Sequence, residues 1–465
     1  MTTDNQATNN LLADAARRAQ RYLDSLDARA VAPSPAAVAR LADLDVPLPR
    51  TSTTSEQVLA ELDELISPAT MAMAGRRFFG FVIGGSLPAA LAANWLASAW
   101  DQNAALARIT PGVAQLETIA LKWLIDLFAL PATTTGAFVS GATMANFTAL
   151  AAARHHVMRR AGWSVEADGL FGAPPITVIV GDEAHPTLIK SLGLLGLGRR
   201  RVISVPVDTQ GRLRANRIPR LTQQPTIVCV QAGNLNTGAF DPCAEICDVA
   251  HAANAWVHVD GAFGLWAKSV PELTHLTNGI ERADSWATDA HKWLNVPYDS
   301  GIALVREPDA LLAAMAVTAD YLPTGGTARN PADYTPELSR RARGVEVWAA
   351  MRSLGREGLN AMFARNVRQA QRFATRLSAV GYQILNDVVL NQVLVSFGSA
   401  EQTLRTVEAV QRDGTCWCGS TVWQNRTAMR ISVCSWATTD SDVERSTDAI
   451  IHAARSVRSN GVSFS

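Results

Sequence analysis

Residues 283–301 read Ala-Asp-Ser-Trp-Ala-Thr-Asp-Ala-His-Lys-Trp-Leu-Asn-Val-Pro-Tyr-Asp-Ser-Gly and set one lysine, Lys292, among apolar and small neighbours. An amine in such a stretch is either a snorkelling surface group or a desolvated one. Desolvation disfavours the ammonium form, and a neutral amine attacks a carbonyl to form a Schiff base. Upstream, Trp256-Val-His-Val-Asp-Gly-Ala262 is a short apolar run that ends in a carboxylate and continues with small residues. It reads as a buried parallel strand delivering Asp260 at its carboxyl end, where ligands of open α/β sheets gather. A strand-end aspartate either caps the next helix or, if buried, needs a cationic partner. A Schiff-base lysine with an acid for a protonated ring nitrogen is the pairing that pyridoxal 5'-phosphate (PLP) requires, and Gly261 and Ala262 leave room for a flat ring.

A third stretch fits the same chemistry. Residues 136–150 run from an apolar strand into Ser140-Gly-Ala-Thr143 and on into a helix-favouring segment. Small residues opening a helix present free backbone N–H groups and the positive end of the helix dipole, a cradle for phosphate, to which the Thr143 hydroxyl can add a hydrogen bond.

The pair His-Val-Asp-Gly-Ala and Asp-Ala-His-Lys-Trp, taken in order with the Ser140 turn, resembles the group II PLP-dependent decarboxylases. That family includes the aromatic-amino-acid, glutamate and histidine decarboxylases and has the fold of the aspartate aminotransferase superfamily. The match runs from about Phe78 to the C-terminus. The resemblance implies PLP on Lys292 with Asp260 at the ring nitrogen and Ala262 beside it. It places Ala142 and Thr143 at the phosphate, with Ser285, Asp289 and His291 as further phosphate-side positions, Asp289 standing where the family has asparagine. His185, in Val-Gly-Asp-Glu-Ala-His, matches the histidine that stacks on the ring and helps orient the substrate carboxylate. Gly233-Asn234-Leu235 stands where the family has Gly-Thr-Thr; Leu235 cannot replace a threonine, so Asn234, Asn236 or Thr237 would. Phe78, Phe79 and Phe81 match a segment lining the substrate pocket, and Ile109 and Thr110 one that reaches the neighbouring subunit's site. Arg430 matches an arginine of the C-terminal domain, with a structural or an active-site-rim role. Residues 315–344, with Tyr321, Gly325-Gly326, Tyr334 and Arg340-Arg341-Ala-Arg343, match a loop that closes over the site and delivers a protonating tyrosine. Tyr334 is the match by its distance to the arginines; phenylalanine there gives aldehyde-forming chemistry in the family.

The elements that must position these residues follow from hydrophobic pattern. Strand-like runs at 176–180, 201–207, 226–230, 256–260, 285–288 and 301–305, with the one before Ser140, make seven strands separated by helices. That alternation predicts an α/β fold with a mostly parallel sheet, the large domain of fold type I PLP enzymes. Amphipathic helices are expected over 9–30 and 55–66, and residues 345–465 read as a smaller α+β domain of long helices and short strands. The domain expectation is a helical dimerisation segment over 1–105, a PLP-binding domain over 106–344 and a small domain over 345–465. In the resembled family the N-terminal helices clasp a second subunit, implying a homodimer.

Composition narrows the classes. The chain has 465 residues, 48% hydrophobic, with Lys plus Arg and Asp plus Glu both at 42. That balance gives no field for nucleic acid or membrane. Met-Thr-Thr-Asp-Asn-Gln has neither a basic start nor an apolar core, so no signal peptide is expected, and the apolar run at 87–100 is too short and too interrupted to span a bilayer. The six cysteines lack CxxC spacing, so no metal site is expected, and the natural compartment is the cytoplasm. The reading is decarboxylation of an L-amino acid to its amine and carbon dioxide. The alternatives are other PLP chemistry at Cα (aldehyde-forming oxidative deamination, transamination or side-chain cleavage) and a non-catalytic PLP-binding homologue.

Overall fold

The computed structural model describes residues 2–317 and 329–461. Tyr321, Gly325 and Gly326 of the expected loop lie outside the described residues. Seven strands form the larger sheet: β1 (Thr135–Val139), β2 (Thr177–Gly181), β3 (Ile203–Val205), β4 (Thr226–Gln231), β5 (Trp256–Asp260), β6 (Ser285–Asp289) and β7 (Gly301–Val305). Their order is β1-β7-β6-β5-β4-β2-β3, and β7 alone runs antiparallel to its neighbours β1 and β6. The expected strands are all there. β4, β5, β6 and β7 are buried along their whole length, which is why they read as continuous apolar runs rather than as alternation. A second sheet, β8 (Gln383–Ile384), β9 (Gln392–Ser396), β10 (Gly419–Trp423) and β11 (Arg426–Ser432), is wholly antiparallel in the order β10-β11-β9-β8.

The longer helices are α1 (Thr2–Ser25), α2 (Pro88–Trp100), α3 (Pro111–Leu127), α4 (Ala142–Arg160), α5 (Pro186–Leu194), α6 (Cys243–Ala252), α7 (Pro308–Met315), α8 (Gly344–Ala379), α9 (Ala400–Asp413) and α10 (Asp440–Gly461). α1 lies earlier than the expected 9–30: it stops at Ser25, and Ala28 and Arg29 turn back onto the Ser25 carbonyl. α8 is interrupted at Gly355, whose φ of 61° is open to glycine and strained for other residues.

The described part of residues 315–344 is firmly held. Arg340 donates to the Glu117 carboxylate at 2.9 Å, to the Phe138 carbonyl at 2.6 Å and to the Ala104 carbonyl at 2.9 Å. Arg343 donates to Asp299 at 2.9 Å. The basic run is therefore a buried bracket between α3, β1 and the segment after Lys292, where each guanidinium has the carboxylate that burial demands.

Candidate active site

Three parallel strands bring their carboxyl ends to one place. β1 ends before Ser140 and α4, β5 ends in Asp260, and β6 ends in Asp289, three residues before Lys292. Gly301 closes the approach from β7: a Cβ there would stand 2.5 Å from the Gly141 backbone. Side chains on a strand alternate, so Trp256, His258 and Asp260 share one face of β5, and that face packs under α4.

The turn carrying Lys292 is locked on both sides. Trp293 is fully buried, its ring centroid 5.0 Å from that of Phe363, and its Nε1 donates to Asn366 Oδ1 at 3.0 Å. Asn295, also fully buried, donates through Nδ2 to the Trp293 and Cys434 carbonyls at 2.6 and 2.9 Å. Its Oδ1 accepts from the Gly85 and Trp436 amides at 2.8 and 2.9 Å. Gly84 approaches so closely that a Cβ would lie 1.9 Å from the Lys292 carbonyl oxygen. One asparagine thus ties the lysine turn to the N-terminal segment and to the end of β11. The sequence reading missed Asn295; a polar residue inside an apolar Trp-Leu-Asn-Val-Pro run was the available signal.

Lys292 Nζ lies 2.8 Å from Asp289 Oδ2, and Asp289 Oδ1 accepts from the Ala142 amide at 2.6 Å. The carboxylate that replaces the family's asparagine is therefore bridged, between an ammonium and the first amide of α4. His291 accepts from the Ser300 amide through Nδ1 at 3.0 Å and stacks on Tyr298 at 4.2 Å. Burial lowers its pKa, opposed by the Asp289 charge.

Asp260 is 5% exposed and accepts from Asn146 Nδ2 and from the Ala262 amide, both at 3.3 Å. No basic side chain pairs with it within 4 Å among the described residues. Burial pushes its carboxyl pKa up, and the His185 and Lys292 charges pull it down. His185 caps α5: its Nδ1 accepts from the Thr187 amide at 3.2 Å and contacts Thr187 Oγ1 at 2.6 Å. A Nδ1 that accepts leaves the proton on Nε2. Burial lowers the His185 pKa; Asp260 raises it, while Lys292 and Arg430 lower it further. His185 follows the end of β2, Asp260 closes β5 and Lys292 follows β6, all at the carboxyl edge of the sheet, and Arg430 reaches the Leu235 carbonyl in the loop after β4.

Arg430, on β11, is 9% exposed, and its one hydrogen-bond partner among the described residues is the Leu235 carbonyl at 3.2 Å. Burial lowers its pKa to about 10. A buried guanidinium without a carboxylate has donors to offer an anion.

Several expected site residues lie elsewhere. Ser285 begins β6, at the opposite end of the strand from Asp289, and is fully buried; Trp256 Nε1 donates to its Oγ at 2.8 Å, and His258 Nδ1 lies 2.9 Å away. It cannot serve the phosphate from there. Asn234 closes its own loop, donating to Glu183 at 3.0 Å and accepting from the Asn236 and Thr237 amides at 2.9 and 3.2 Å. Thr237 and Asn236 are likewise engaged, with the Gln210 carbonyl and with Thr421. Phe79 is fully buried in the core of the second sheet, edge-on to Phe373. Phe78 is buried against Trp417, in a small core with Leu26 and Val31. Both are core residues; Phe81, 58% exposed, is the one left to face a ligand. The Tyr334 ring lies 3.9 Å under the Arg329 guanidinium, which reaches the Gly136 carbonyl. That is the start of β1, away from the end that carries Ser140, so the structure does not bring Tyr334 to Lys292.

The donor set fits PLP. An enclosed carboxylate without a cation suits a protonated ring nitrogen, a lysine stands at the next strand end, and Thr143 with the first turn of α4 and His291 offers donors for phosphate.

Residues 35–398 match the family model of the pyridoxal-dependent decarboxylase conserved domain. The chain is 29% identical over 443 residues to the L-2,4-diaminobutyrate decarboxylase of Rhizobium meliloti, covering 90% of this chain and 86% of the relative. It is 29% identical over 349 residues to tryptophan decarboxylase 1 of Oryza sativa, covering 70% and 67%. A crystal structure of Oryza sativa TDC with PLP and tryptamine superposes with a TM-score of 0.90 at 24% identity, over 97% of this chain and 98% of the other, a likeness of fold.

Proposed function

The chain belongs to the family of pyridoxal-dependent decarboxylases, and from that premise we propose that it converts an L-amino acid to the corresponding amine and carbon dioxide, with PLP carried on Lys292. The observation that carries the reading is the gathering of His185, Asp260 and Lys292 at the carboxyl edge of the sheet, with Arg430 reaching the loop after β4 and with Asp260 and Arg430 each lacking an ion-pair partner among the described residues.

Bound PLP supplies the carbonyl that takes up an amine and a ring that accepts the electron pair left when the carboxylate departs. Lys292 is the amine that would hold the cofactor's carbonyl. Asp260, as a carboxylate, would keep a proton on the ring nitrogen. Thr143, the first turn of α4 and His291 would hold the phosphate. Arg430 takes the substrate carboxylate by charge-assisted hydrogen bonds, and His185 presents its Nε2 proton to the same space. The substrate proton count balances: one proton replaces carbon dioxide at Cα.

The site is proposed to be completed by a second copy of this chain. α2 buries only Ala90 and exposes Trp95, Leu96 and Trp100 by 43%, 54% and 45%, and Ile109 is 68% exposed. Apolar surface so concentrated marks a protein interface. The proposed compartment is the cytoplasm; among the described residues no helix is long and apolar enough to cross a membrane.

The test is an absorbance spectrum of the protein with PLP, then assays for carbon dioxide and product against the common amino acids. A visible cofactor band with equal yields of carbon dioxide and amine is expected. Aldehyde, keto acid or no product beside that band would keep the cofactor and overturn the reaction.

A further inference from the structure

Five side chains form one buried line from the start of β5 to Asp260. Trp256 Nε1 donates to Ser285 Oγ at 2.8 Å; Ser285 Oγ meets His258 Nδ1 at 2.9 Å; His258 Nε2 meets Asn146 Oδ1 at 2.8 Å; Asn146 Nδ2 donates to Asp260 Oδ2 at 3.3 Å. Ser285, His258 and Asn146 are fully buried. The direction of every bond follows from chemistry. Indole N–H can only donate, so Ser285 accepts from Trp256, and its own hydroxyl proton remains for the acceptor nitrogen of a neutral His258. A carboxylate can only accept, so the Asn146 amide nitrogen points to Asp260 and its oxygen to His258. His258 Nε2 must then carry the hydrogen.

We infer that Asn146 and His258 are positioning residues for the cofactor: a neutral His258 protonated on Nε2 fixes the Asn146 amide, and the amide fixes Asp260 as an unprotonated acceptor aimed at the ring nitrogen. This rests on the PLP reading above. Complete burial, which lowers the His258 pKa to about 3, supports the neutral ring. A buried imidazole with one tautomer available cannot pivot without leaving a donor or an acceptor unmade, which is costly in a low-dielectric interior. The line also accounts for Ser285, whose hydroxyl is needed at the far end.

The test compares PLP with its analogue in which the ring nitrogen is replaced by carbon. The full-length protein, resolved of cofactor, is titrated with each, and the ratio of the two dissociation constants measures the Asp260–nitrogen interaction. Asp260→Ala defines the ratio without that interaction. Asn146→Ala and His258→Phe are expected to lower the wild-type ratio about tenfold, mainly by weakening PLP. His258→Gln, which keeps an N–H for Asn146, is expected to hold the ratio near wild type. Equal weakening of both ligands in Asn146→Ala and His258→Phe would overturn the inference and leave these residues as core packing. Loss of the ratio in a folded His258→Gln would overturn it as well. A wild-type ratio no larger than that of Asp260→Ala would instead remove the PLP role of Asp260 on which it rests.

Discussion

Lys292 and Asp260 carry different parts of the chemistry, so their removal should fail differently. Lys292→Ala should lose both the visible absorbance of bound cofactor and multiple turnover; sustained turnover in that variant would take the lysine out of the mechanism. Asp260→Ala should still bind PLP, more weakly, while kcat falls by roughly a hundredfold or more. Of the structural and rim roles open to Arg430 from its sequence match, its burial with a single carbonyl partner favours the rim of the site. Arg430→Met should raise KM about ten- to a hundredfold, the worth of a hydrogen bond to a charged group, and leave cofactor absorbance intact; an unchanged KM would return it to a structural role. Tyr334, held under Arg329 and away from Lys292, should tolerate Phe with kcat within about twofold. A large fall in kcat would return Tyr334 to the role of protonating tyrosine.

At the scale of elements, the cradle depends on backbones approaching closely. β7 runs against β1 so tightly that Gly301 has no room for a methyl group beside Gly141. Gly301→Ala should lower stability by about 1–3 kcal/mol through overpacking and weaken PLP binding together with it, read by thermal unfolding with and without cofactor. The elements themselves were legible because fully buried strands and amphipathic helices carry their own periodicity. The position of a side chain along a strand was not. Ser285 and Asp289 stand at opposite ends of β6, and an ordered resemblance treats both as phosphate neighbours. Geometry separates them: a five-residue strand spans about 13–17 Å, more than a hydrogen bond bridges.

At the scale of the molecule, His258 gives the acid limb of stability a recognisable contribution. Its folded-state pKa, about 3, lies below the ordinary 6.5, so between those values the unfolded chain binds a proton that the folded one refuses. Its contribution is whole above about pH 6.5 and is lost as pH falls toward 3, at up to about 1.4 kcal/mol per pH unit. His258→Gln should therefore show a flatter fall in unfolding free energy from pH 6.5 to pH 4 than the wild type; parallel curves would mean that His258 is protonated in the fold. The exposed apolar face of α2 belongs to the same scale. Charge placed there by Trp95→Glu with Leu96→Glu should shift a dimer to monomer in sedimentation, with loss of turnover. A wild-type monomer of full activity would refute the shared site.

The amino-acid sequence alone determined which residue types stand ready for chemistry and the succession of strands and helices along the chain. A lysine among apolar neighbours, a carboxylate closing an apolar run and a small-residue turn before a helix are local patterns, and local patterns survive without coordinates. Tertiary structure alone decided which polar residues share the space of Lys292. Asn146 and Arg430 come to it from distant segments, while Asn234, Ser285, Phe79 and Tyr334 are drawn into other contacts. The reason is that a buried polar group takes whichever partner the packing brings within hydrogen-bond reach, and that choice depends on the distance between elements, which no spacing along the chain records.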